Sequence, residues 1–133
     1  MDVSYILDDL NDAQRQAVTS ESKKLLVLAG AGSGKTKVLV HRIAWLIKAL
    51  SNSTHSILSV TFTNKAANEM TGRIEQILDQ PIPEMWCGTF HSISNRLLRR
   101  HYKEAGLEKD FSIHDSDDQL RVIKRNLKEL DID

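Results

Sequence analysis

The chain has one cysteine, Cys87, among 133 residues, so no disulfide can form within it. That points to a reducing compartment. Prolines number two and glycines six, against 41% hydrophobic and 27% charged residues. Such a composition excludes collagen-like, fibrous and disordered chains and leaves a globular one. No apolar run approaches the roughly 18 residues that a membrane helix needs. The start, Met1-Asp2-Val3 with acids at Asp8 and Asp9, has no cationic, apolar leader. The expected location is therefore cytoplasmic, with no membrane partner. The length gives one domain with a real core and is too short for a large multi-domain enzyme.

Net charge is also missing, because 18 bases balance 18 acids. The balance hides a pattern. Residues 1–29 carry −2, residues 30–104 carry +5 and residues 105–133 carry −3. A basic middle suits a polyanion such as nucleic acid, and equally suits solvated helix faces. The change near residue 105 marks a subdomain boundary.

What is present is an alternation of short apolar runs and amphipathic stretches. Asn11, with Gln14 three residues on, predicts a capping box and a helix to about Thr19. Lys24 to Ala29 is a short apolar run without alternation, the pattern of a strand buried on both faces. A helix is predicted from about Gly34 to Leu50, a strand at 57–61, a helix at 64–78 and a strand at 85–88. A further helix is predicted from Phe90 to Ala105, with Phe90, Ile93, Leu97 and Leu98 on its apolar stripe and Gly106 as its C-terminal cap. A last helix begins near Ser116, with Gln119 in the capping-box position. The strand–helix–strand–helix–strand order predicts an α/β fold with a parallel sheet and flanking helices.

The strongest chemical signal is Ala29-Gly30-Ala31-Gly32-Ser33-Gly34-Lys35-Thr36, placed between a predicted buried strand and a helix. This is the context of a phosphate-binding loop. Glycines let several N–H groups converge on one concavity, and the helix start adds partial positive charge. Lys35 is placed to reach the β- and γ-phosphates as the catalytic cation, and the Thr36 hydroxyl to take a place on Mg²⁺. The generic loop begins with glycine; Ala29 is a variant at that position. All eight residues are thus candidates for binding ATP.

Three other segments are open to two readings. Gln14 offers a donor and an acceptor suited to an adenine edge, or is a capping residue. Phe62, in Thr61-Phe62-Thr63-Asn64-Lys65, either stacks on a base or lies in the core, and Asn64 either holds a phosphate or caps a helix. Thr89 and His91, in Gly88-Thr89-Phe90-His91, either meet a ligand or cap the next helix and face solvent. The phosphate loop and the segments that begin at Thr61 and Gly88 all follow predicted strands, at the sheet edge where open parallel sheets bind ligands. The five histidines are scattered, which leaves no metal cluster. An apolar strand ending in an acid, needed to hold Mg²⁺ and the attacking water, is missing as well.

Leu10 to Val18, Ala29 to Thr36, Thr61 to Met70 and Gly88 to His91, in this order and spacing, resemble the N-terminal part of the UvrD/Rep/PcrA superfamily 1 DNA helicases. The resemblance implies a P-loop NTPase of RecA-like fold, present in part over residues 1–90. It implies that residues 91–133 open an inserted helical subdomain. It assigns Gln14 to adenine, Gly32, Gly34, Lys35 and Thr36 to ATP and Mg²⁺, and Phe62, Asn64, Thr89 and His91 to single-stranded DNA. The implied activity is ATP-dependent 3′-to-5′ unwinding in DNA repair, with single strands and duplex junctions as partners. The missing acidic strand would then lie beyond residue 133. The rival readings are a small phosphotransferase and a non-catalytic nucleotide-binding module.

Overall fold

A computed structural model describes residues 2–131. Five α-helices, α1 (Asp12–Thr19), α2 (Lys35–Lys48), α3 (Asn64–Leu78), α4 (Phe90–Arg100) and α5 (Ser116–Glu129), accompany two strands, β1 (Leu58–Thr61) and β2 (Trp86–Thr89). The strands pair in parallel, from Leu58 opposite Trp86 to Thr61 opposite Thr89. Parallel neighbours need a crossover, and α3 supplies it.

The chain divides into two compact units, Met1–Arg96 and Leu97–Asp133. In the first, α2 packs on α3, and α3 on both strands. Ile6, Val40, Ile43, Ala44, Met70 and Ile74 lie at the centre of its core, each with 3% or less of its surface exposed. Val40, Ile43 and Ala44 on α2, and Met70 and Ile74 on α3, recur at helical spacing, so each helix turns one stripe inward. A smaller cluster of Leu10, Val18 and Val38 holds α1 against α2. In the second unit, Arg99 lies over the Phe111 ring at 4.3 Å. Gly106, at φ 68°, closes a turn in which Leu107 N–H donates to the Tyr102 carbonyl.

Local signals account for most of the boundaries. Asn11 and Gln14 form the expected capping box on α1. Helix α3 begins at Asn64, but its cap is Thr63, whose hydroxyl accepts from Ala66 N–H. Helix α4 stops at Arg100, short of the expected Ala105. On α5 the capping box is Asp115 with Asp118, one residue ahead of the expected Ser116 and Gln119. Carboxylates at these positions both accept N–H groups and oppose the helix dipole, so they prevail over the neutral pair.

One expected element is not formed. Lys24–Ala29 is no strand, and the backbone of residues 25–29 makes no hydrogen bond among the described residues. Leu26 and Leu28 are 82% and 86% exposed. A strand exists only through its ladder partners. The β1–β2 pair does not reach this segment, so its apolar side chains stay outside the core.

Candidate nucleotide site and adjoining sheet edge

The loop from Ala29 to Thr36 closes on itself at Gly30, whose carbonyl accepts from both the N–H and the hydroxyl of Ser33. Gly32 and Gly34 take φ values of +73° and +82°. These left-handed conformations turn the chain sharply into α2. Gly34 is the N-cap of α2 and has no capping side chain. The first N–H groups of the helix are therefore left open to an anion, and no acid stands in the first turn to compete. Lys35 and Thr36 are exposed there.

Gln14 joins this loop to α1. Its Oε1 accepts from Asn11 N–H at 3.0 Å, and its Nε2 donates to the Ser33 carbonyl at 3.2 Å. A Cβ at position 34 would come within 2.9 Å of that Nε2, the movable end of its side chain, and the φ of +82° is what requires glycine there. The two readings of Gln14 are thus compatible, since one side chain caps the helix and touches the loop. A cavity of about 270 Å³ lies between them, lined by Asn11, Gln14, Val27, Leu28, Ser33 and Lys35 among others. A second, of about 420 Å³, shares Ala17, Val27, Lys35 and Val38 with it and extends to Lys23 and Arg42. The Arg42 guanidinium is already engaged, donating to the Val18 carbonyl at 2.6 Å. Neither lining holds a carboxylate.

The residues fit a nucleoside triphosphate: open N–H groups, an exposed ammonium and an exposed hydroxyl stand at the start of α2, next to a loop that the Gln14 amide touches. Among the described residues no group of three His, Cys, Asp or Glu side chains could hold a metal ion alone. Thr36 and the phosphates themselves would be the ligands of Mg²⁺.

The ends of β1 and β2 form the other candidate surface. Phe62, just past β1, is 90% exposed, which removes the core alternative. Phe90, at the start of α4, is 56% exposed, and its ring centroid lies 5.7 Å from that of Phe62, tilted by 46°. Sequence periodicity had placed Phe90 on a buried stripe. The usable signal was its position directly after a strand, matching that of Phe62. Asn64, Lys65 and His91 are exposed on the same edge. Thr89 is 9% exposed; its hydroxyl accepts from Ser92 N–H and donates to Ser92 Oγ, both at 3.1 Å. It holds the start of α4. Gly88, which sequence reasoning passed over, lets α4 approach, since a Cβ there would lie 2.5 Å from Ser92 Oγ.

Residues 10–133 match the UvrD/REP helicase N-terminal domain, and the chain belongs to that family. It is 58% identical over 133 residues to DNA helicase II of Escherichia coli (strain K12) and 57% identical to DNA helicase II of Salmonella typhimurium (strain LT2). It is 48% identical over 130 residues to ATP-dependent DNA helicase PcrA of Bacillus subtilis (strain 168). These alignments cover 98–100% of this chain and 18% of each relative. The chain therefore spans under a fifth of the length of the curated relatives it matches. No helix among the described residues is long and apolar enough to cross a membrane.

Proposed function

We propose that these residues are the ATP-binding opening of an ATP-dependent 3′-to-5′ DNA helicase that acts in DNA repair in the cytoplasm. The observation that carries the reading is the meeting of Gln14, the Gly34 turn and Lys35 around one cavity. In this P-loop, RecA-like arrangement Gln14 reads adenine, while the N–H groups of residues 30–36 and the Lys35 ammonium hold the phosphates. Thr36 supplies a hydroxyl to Mg²⁺, which neutralises phosphate charge when bound. Phe62, with Phe90 against it, stacks on bases of single-stranded DNA near duplex junctions. Asn64 and His91 hold the backbone there, and Thr89 positions His91 by fixing the start of α4. Residues 91–133 begin the inserted helical subdomain.

The linings contain no carboxylate to orient an attacking water. That favours nucleotide binding without turnover as the behaviour of the 133-residue chain alone, and makes a small complete phosphotransferase the weaker reading. The test compares nucleotide binding by this chain, and ATP hydrolysis by a chain of the relatives' full length, with and without Lys35→Ala. Normal hydrolysis in the full-length variant would overturn the proposal.

A further inference from the structure

A third cavity, of about 150 Å³, lies on the opposite side of α2 and shares no lining residue with the two beside the phosphate loop. Lys37 and His41, one turn apart on α2, face Arg73 and Gln76, one turn apart on α3; Val40 and Ile77 complete the lining. Each polar group has capacity left. Lys37 Nζ donates to the Asp9 carbonyl, and an ammonium has two further protons. Arg73 is exposed and has no hydrogen bond or ion pair among the described residues, and the same holds for the Gln76 amide.

His41 is the most informative member. It is 92% buried, and its Nδ1 meets the Ile6 carbonyl. A carbonyl only accepts, so Nδ1 carries the proton and Nε2 of the neutral ring is bare. Among the described residues Nε2 has no partner. A nine-tenths-buried ring with an unused nitrogen therefore lines a cavity that holds two permanent cations and no carboxylate. The charged groups facing it are Lys37 from α2 and Arg73 from α3, while Ile6 and Asp9 present only backbone carbonyls.

We infer that this cavity is a second anion site, built for a small tetrahedral dianion such as free phosphate, sulfate or the terminal group of a phosphate monoester. Two cations match two negative charges. The Gln76 amide adds a neutral donor beside them. The site is independent of the phosphate loop and uses none of its residues.

The experiment is an NMR titration of the isotope-labelled 133-residue chain with sodium sulfate, ionic strength held constant with chloride. The His41 ring resonances should shift saturably at millimolar sulfate. Arg73→Gln and Lys37→Gln should each weaken the apparent affinity by about five- to tenfold, the loss of one charge-assisted contact at a partly solvated site. Both side chains lie outside the core, so unchanged thermal melting serves as the folding control. Lys35→Ala should leave the response intact. A parallel arm uses oligothymidylate, whose phosphodiesters each carry a single charge. Saturable shifts with the oligonucleotide but not with sulfate would overturn the assignment to a free dianion. So would a His41 response that survives Arg73→Gln undiminished, or one that disappears with Lys35→Ala.

Discussion

Replacing Gln14 by Ala and by Glu separates the two tasks of one side chain. In the wild type its Oε1 completes the α1 capping box and its Nε2 holds the Ser33 carbonyl. Alanine removes both contacts. Each is worth about 0.5–1.5 kcal/mol net, and both are solvent-accessible, so the sum is roughly 1–2 kcal/mol. For a chain of this size that lowers the melting temperature by roughly 4–8 °C. Glutamate keeps the box, since a carboxylate accepts from the Asn11 N–H as well as an amide does. It also places a negative charge in the first turn of α1, worth about 0.3–1 kcal/mol. It loses the loop contact, because a carboxylate cannot donate to the Ser33 carbonyl. The two changes nearly offset, so Gln14→Glu should melt within a few degrees of wild type. Nucleotide binding should rank the variants the other way. A carboxylate at roughly 10 Å from a bound polyphosphate costs on the order of 1–2 kcal/mol at an effective dielectric of about 20, about tenfold in affinity. Thermal melting and titration with a fluorescent ATP analogue give both orders on the same samples. If Gln14→Glu melts with Gln14→Ala while both bind nucleotide like wild type, the amide has no part in the site.

Three further outcomes are expected. Lys35→Ala should leave melting unchanged, because the side chain is exposed, yet cut ATP turnover by about 10² or more in a chain of full relative length. Phe62→Ala, at a 90%-exposed position, should also leave melting unchanged but weaken single-stranded DNA binding by roughly tenfold, seen by fluorescence anisotropy. Ile74→Ala, fully buried between α2 and α3, should cost about 2–5 kcal/mol in denaturant unfolding.

Elements set by nearby residues could be read from the sequence. The α1 box is written in Asn11 and Gln14, whereas α3 is capped by Thr63 and not by Asn64. The loop glycines at 32 and 34 take the conformations their residue type allows. Features that depend on distant partners could not be read. The apolar run at 24–29 announces that burial is needed and is silent on which strand provides it. Phe90 satisfied a helical stripe and still lies open beside Phe62, because the stripe does not show where the core ends. The capping role of Thr89 and the close fit at Gly88 both depend on Ser92 folding back onto the strand end.

The open ribbon from Leu25 to Leu28 also sets a clock. Its unpaired peptide groups and leucine side chains are a template for the wrong strand as much as for the right one. Among the described residues neither β1 nor β2 pairs with it. In a polypeptide as long as the relatives, a ribosome adding about 5–20 residues per second takes on the order of a minute to make the rest. Loop closure over such distances adds little entropy per residue, so the wait is one of synthesis and not of search. During it the phosphate loop hangs from an unanchored stalk, held to the folded part by the Gln14 amide and the start of α2.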